Sequence, residues 1–226
     1  MCGRISLFSE LGDLASQFRF IPDDIGDAYQ ISWNIAPTAA VLTITAEGDT
    51  RRAGVMRWGF TFNRPQGKSG SSRPLFNARS ETLAERPAFR SAFAQRRCLV
   101  PINGFYEWRA NPGGGKTPLW IHREDERPFA LAGIYNTRPD PAASVITCAP
   151  NSLMTPIHNR MPVMLVDDDY DDWLDPEADP VVLHALLQPR EWPEMTAWPV
   201  STAVNRAGSD GPHLIAPADG GTALLL

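Results

Sequence analysis

The chain has 226 residues, is 43% hydrophobic and holds seven tryptophans, enough for a packed core in one large domain or two small ones. A net charge of −5 argues against a generic nucleic-acid coat, and no apolar run is long enough to span a bilayer. Cys2, Cys98 and Cys148 are too few and odd in number for a disulfide framework, and no basic-then-apolar leader opens the chain, so a soluble cytoplasmic protein is expected.

The elements are short. Cys2 follows the initiator Met1. Ser9 is placed to cap a helix whose apolar positions Leu11, Leu14, Ala15 and Phe18 keep helical spacing, and Pro22-Asp23-Asp24 ends it. Val41–Ala46 alternates as a strand, and Val55–Phe60 reads as another. Residues 63–74 are rich in Pro, Gly and Ser and predict a loop. A short helix is expected after Asn77 and a second from Pro87, burying Phe89, Ala92 and Phe93. Cys98-Leu99-Val100 is an apolar strand. The glycine-rich run 111–115 predicts a hairpin-like loop before Leu119–His122. Further strands are expected at Pro128–Tyr135, Ser144–Ala149 and Val163–Val166. Tyr170, Trp173 and Leu174 have helical spacing, and Val181–Leu187 reads as a last helix. Val200–Asn205 reads as a strand with a turn after it. The sum is α+β: residues 1–226 as one domain with a β-rich core of mostly antiparallel strands and short peripheral helices.

Charge is unevenly spread. Residues 51–97 hold ten arginines and Lys68 against Glu81 and Glu85, whereas residues 167–194 hold ten acids against Arg190 alone. Two solvated faces would account for this. So would a patch for a polyanion, because arginine favours planar bidentate contacts with phosphate.

Several positions carry potential chemistry. With Met1 removed, Cys2 would present an α-amine and a thiol on adjacent carbons. The amine can condense with an aldehyde, and the thiol can then close a thiazolidine ring intramolecularly. Taken alone, Cys2 also reads as no more than the residue after an initiator. Asn77 has the position of a helix cap. Glu107, in Gly104-Phe105-Tyr106-Glu107-Trp108, either points to solvent from a strand or sits among aromatics as a general acid with a raised pKa. His158, in His158-Asn159-Arg160-Met161-Pro162, can carry protons or be structural. The cysteines and His122, His158, His184 and His213 form no C-x-x-C or H-x-x-x-H pair, and no phosphate-binding glycine loop is present, so no metal and no cofactor are expected.

Read together, Met-Cys-Gly-Arg at 1–4, Asn-Ile-Ala-Pro-Thr at 34–38, Arg-Trp-Gly at 57–59, Asn-Ala-Arg-Ser-Glu-Thr at 77–82 and Arg-Arg-Cys-Leu-Val-Pro at 96–101 resemble the SRAP family of SOS-response-associated peptidases. Gly-Phe-Tyr-Glu-Trp at 104–108, His-Asn-Arg-Met-Pro at 158–162 and Val-Ser-Thr-Ala-Val-Asn at 200–205 extend the resemblance over about residues 2–215. It implies a DNA-damage protein that senses abasic sites in single-stranded DNA and crosslinks to them covalently. Lyase activity and self-processing peptidase activity are the accompanying expectations. Cys2 would be the nucleophile, Glu107 the acid at the sugar oxygen, His158 the proton carrier, and Asn77 the amide that holds the Cys2 amine or the sugar. Arg4, Arg79 and Arg160 would contact DNA, and Trp108 and Trp58 would stack on bases beside the lesion. No membrane partner is implied, a monomer is the simplest state, and the acidic segment would face away from the strand. The chain departs from the family after Trp58, where Trp-Gly-Phe-Thr-Phe-Asn stands in place of the frequent Trp-Gly-Leu-Ile-Pro.

Overall fold

A computed structural model describes residues 2–61, 74–138 and 140–218. In chain order the described strands and helices are β1 (Ile5–Leu7), α1 (Leu11–Phe18), β2 (Ser32–Ile35), β3 (Ala40–Glu47), β4 (Thr50–Trp58), β5 (Asn77–Arg79), α2 (Arg90–Gln95), β6 (Arg97–Ile102) and β7 (Gly104–Ala110). They continue with β8 (Lys116–Arg123), β9 (Phe129–Asn136), β10 (Ala142–Cys148), β11 (Met161–Pro162), β12 (Met164–Leu165), α3 (Tyr170–Leu174), α4 (Pro180–Leu186) and β13 (Met195–Pro199). Single 3-10 turns fill several of the connections, among them Ser80–Thr82 and Thr202–Asn205.

The strands build two sheets. The first runs β13-β8-β7-β1-β2 and is antiparallel throughout. The second runs β11-β10-β4-β3-β6-β9-β12, with β5 alongside β10. Among the described strands only the pairings of β10 with β4 and β5 are parallel, beside one isolated parallel bridge from Phe20 to Arg51, so the expected α+β class and its mostly antiparallel core are observed. Because β9 also pairs with β10, the strands β10, β4, β3, β6 and β9 close on themselves as a small barrel. Closure explains why every residue of β6 and β10 is buried.

Side-chain alternation divides the first sheet between two cores. Phe105, Leu119 and Ile121 join Ile5 and Leu7 in the main core against the second sheet. Tyr106 and Trp120, on the opposite face, pack with Val200, Val204 and Leu214 in a smaller cluster. The first sheet is therefore covered on both faces, and the chain after β13 forms the second cover.

Several elements differ from their sequence expectation. Ser9 does not cap α1: the cap position is Glu10, and the Ser9 hydroxyl accepts from Asn103 Nδ2 at 2.9 Å. Asn77 opens a strand, and only the Ser80–Thr82 turn follows it. The second helix starts at Arg90, after a turn in which Arg86 O accepts from both Phe89 and Arg90. Val200 makes one bridge, to Pro217, and the Ser201 hydroxyl accepts the Ala203 N–H to start a 3-10 turn where a strand was expected. Apart from Pro74, the loop expected at 63–74 lies outside the described residues.

The charge blocks partly face each other. Arg51 is buried, with one nitrogen on Phe18 O and another 2.5 Å from Asp171 in the acidic segment. Arg97 is also buried and donates to carbonyls of Phe93, Ala94, Trp173 and Asp175. These two arginines join the halves of the molecule and are unavailable to a polyanion, while Arg57, Arg79, Arg86 and Arg90 remain exposed.

Candidate active site

The two sheets meet where the first strand begins. Cys2 precedes β1, which lies between β7 and β2, and Tyr106 N donates to Arg4 O at 2.9 Å. Cys2 has no solvent exposure. Glu107 is two residues beyond Phe105 on β7, so it projects to the same face toward the second sheet, and it is 3% exposed. Asn77 begins β5 opposite Val145 of β10 and donates from Nδ2 to Cys2 O at 2.7 Å. Its Oδ1 is buried and meets no partner among the described residues. His158 comes from the loop after β10, whose turn is held by Asn151 through bonds from Met154 N and Thr155 N. Its Nε2 is 4.0 Å from Glu107 Oε2.

The electrostatics follow from this packing. Burial pushes the Cys2 thiol well above its ordinary range, the charge of Glu107 pushes it further, and the hydrogen bond from the Arg4 backbone pulls it back. The thiol is thus protonated at neutral pH and needs a neighbour to take its proton before it can act as a nucleophile. On the ring of His158, Nδ1 accepts the backbone N–H of Arg160 at 3.0 Å. The same Nδ1 also lies 3.2 Å from Arg160 O, so the backbone of Arg160 holds this side of the ring and leaves Nε2 as the nitrogen that faces Glu107. Sulfur, carboxylate, imidazole and amide converge from four separate stretches of the chain.

The remaining candidates surround this group, though not all at the surface. Arg79 is exposed at the end of β5. Arg160 is mostly covered: its guanidinium forks onto Glu81, and Nη2 also donates to Thr147 O at 2.5 Å and Thr147 Oγ1 at 3.2 Å. Trp108 is half-buried and donates to Asn205 Oδ1 at 2.7 Å. Arg4 is held inward, with Nη1 on Asn34 Oδ1 and Val204 O at 2.6 Å each and its guanidinium carbon 6.0 Å from the Trp108 ring centroid. The expectation that Trp58 stacks on a base is corrected. Its side chain has no exposure, its indole N–H donates to Phe76 O at 2.9 Å, and its ring meets Phe76 edge-on. Among the described residues no three His, Cys, Asp or Glu side chains gather as a metal site.

The model of the family described as SOS response associated peptidase (SRAP) matches residues 1–207. The chain belongs to the SRAP family. The abasic site processing protein YoqW of Bacillus subtilis is 39% identical over 226 residues, spanning 95% of this chain and 99% of that protein. The abasic site processing protein YedK of Escherichia coli is 27% identical, spanning 96% of this chain and all of the other. A crystal structure of a Bacteroides thetaiotaomicron protein shares the fold at a TM-score of 0.81, with 24% identity over 96% of this chain.

Sequence reasoning passed over one supporting residue of this SRAP domain. Asn34 is 4% exposed; it accepts from Arg4 and donates to the carbonyls of Val204, Arg206 and Ser209. It thereby fastens the 202–209 segment, which carries Asn205, to the chain's first residues. The signal was an asparagine inside the Asn-Ile-Ala-Pro-Thr motif, where a strand disfavours that residue unless its amide has partners.

Proposed function

We propose that this SRAP protein processes abasic sites by capturing them covalently in single-stranded DNA through Cys2. The observation that carries the reading is the burial of Cys2 against Glu107, with Asn77 bonded to its carbonyl. Two relatives of nearly the same length named as abasic site processing proteins support it.

The reaction requires the peptide bond between Met1 and Cys2 to be cleaved, so that the Cys2 α-amine is free. The ring-opened abasic sugar presents an aldehyde at C1′. Glu107, as acid, protonates the sugar oxygen as the ring opens. The Cys2 amine adds to C1′, one water leaves, and an imine forms. The thiol sulfur then adds to the imine carbon while its proton goes to a neighbouring base and a proton reaches nitrogen, closing a thiazolidine with no further loss of atoms. His158, with Nε2 toward Glu107, completes a path for these transfers. Stopped at the imine, the same chemistry leads to elimination of the 3′ phosphate, the lyase side reaction. Asn77, bonded through Nδ2 to Cys2 O and with Oδ1 buried and unpartnered among the described residues, would accept from the liberated amine. Trp108 and Arg79 would meet the strand around the lesion.

The test uses an abasic single-stranded oligonucleotide and a denaturing gel. Wild-type protein is expected to give a heat-stable adduct and Cys2→Ala none. Cys2→Ser keeps the amine but lacks sulfur, so it is expected to give only an imine that borohydride can trap. A Cys2→Ala protein that crosslinks like wild type overturns the reading.

A further inference from the structure

Arg160 and Glu81 form an ion pair of unequal depth. The arginine side chain is 14% exposed and the glutamate 50%, so the carboxylate is the outer layer over a mostly covered guanidinium. Glu81 meets both Nη1 and Nη2, the edge an arginine uses to grip two oxygens of a phosphate. The guanidinium has a separate anchor on its inner side, since Nη2 also reaches Thr147 O and Oγ1. Its orientation therefore does not depend on Glu81 alone. The exposed Arg79 lies close enough to add to the lowering of the Glu81 pKa, after the larger effect of Arg160 itself. Glu81 is thus an acid placed between two arginines in the most basic part of the chain. Arg160 is also tied to the site, through its backbone N–H on His158 Nδ1.

We propose that Glu81 stands in for a DNA backbone phosphate, occupying the outer edge of Arg160 in the free protein and giving it up to the strand. This rests on the strand-binding reading above. The exchange breaks no covalent bond: the carboxylate swings out to water, a phosphodiester takes both nitrogens, and Arg160 is paired before and after. A mostly buried guanidinium is then never left without a counter-charge. Intact single strands must compete with an internal anion, which weakens their hold without weakening a covalently captured one.

Affinity for an unmodified single-stranded oligonucleotide, followed by fluorescence anisotropy, tests the exchange. Glu81→Gln is expected to bind roughly two- to fivefold more tightly than wild type, the scale of one partly exposed ion pair. Glu85→Gln, the other acid of the basic stretch, removes the same charge away from this pair and is expected to change affinity less. In an Arg160→Gln background the gain from Glu81→Gln is expected to vanish. Weaker binding by Glu81→Gln, an equal gain from Glu85→Gln, or a gain that persists without Arg160 each overturns the exchange. So does a wild type that binds no single strand. A wild type that binds the strand yet forms no adduct with an abasic one counts against the covalent reading alone.

Discussion

Glu107 shows how the far side of the molecule sets the surroundings of one side chain. On β7 it follows Phe105 onto the face that meets the second sheet, and there it finds Cys2 and His158. Glu107→Gln keeps the volume and most of the polarity while removing the transferable proton. The expected result is a crosslinking rate lower by roughly a hundredfold, the lower range for loss of an acid–base group, with an unchanged melting temperature. Single-turnover crosslinking kinetics measure it, and a wild-type rate removes Glu107 from the proton path. The sequence left two orientations open at this residue for a physical reason. Alternation reveals which face is buried only when the other face is wet, and this sheet has Tyr106 and Trp120 packed on its second side. Asn77 was harder still: its local pattern suits a cap, and its actual bond spans 75 positions to Cys2.

At the level of elements, the N-terminal strand is fixed by a polar relay as well as by its ladder. Trp120 Nε1 donates to Ser6 Oγ at 3.0 Å, and Ser6 Oγ donates to Gly104 O at 3.2 Å, tying β8, β1 and β7 together. The relay needs Gly104. A Cβ there would lie 2.3 Å from Trp120 Nε1 and 2.8 Å from Ile121 O. Gly104→Ala is expected to destabilise the fold by about 1–3 kcal/mol, the usual range for overpacking, and to slow crosslinking by loosening β1. Urea unfolding measures the first effect, and unchanged stability removes the relay from the account. Helix α1 and strand β3 were legible from apolar residues at one period, and β8, β9 and β10 from short, nearly continuous apolar runs. Three- and four-residue strands such as β1 and β2 carry too few positions to show a period, and Ser201 redirected a strand-like stretch with one local hydrogen bond.

For the molecule as a whole, stability should depend on pH through a residue outside the site. His122 is 1% exposed and lies between Trp120, stacked at 3.9 Å between centroids, and Trp198, edge-on at 4.1 Å. Its Nδ1 lies 2.6 Å from Arg123 O, and burial lowers its pKa to about 4. In the unfolded chain the imidazole titrates near its ordinary 6.5. The folded state therefore binds fewer protons, so the stabilisation is fully present above about pH 6.5 and is lost as pH falls toward 4. Between pH 7 and 4.5 this residue should account for about 2 kcal/mol of lost stability. Denaturation of wild type and His122→Phe at both pH values isolates it, and equal slopes refute it. The charge blocks, visible in the sequence as a contrast, became structure in part: Arg51 and Arg97 were consumed in joining the halves, a fate composition cannot foretell.

The burial of Cys2 also sets an order of events during synthesis. The first strand can enter its sheet only after residues 104–106 of β7 have been made, because they are its partners on one side. At about 5–20 residues per second, the new N-terminus stays uncovered for roughly 5 to 20 s while the ribosome reaches them. An aminopeptidase working on the nascent chain has that interval to remove Met1. Once β1 is enclosed, a molecule that kept its initiator has Cys2 sealed in a position with no exposure. On the covalent reading proposed above, trimming by an aminopeptidase and folding of β1 then compete on each nascent chain.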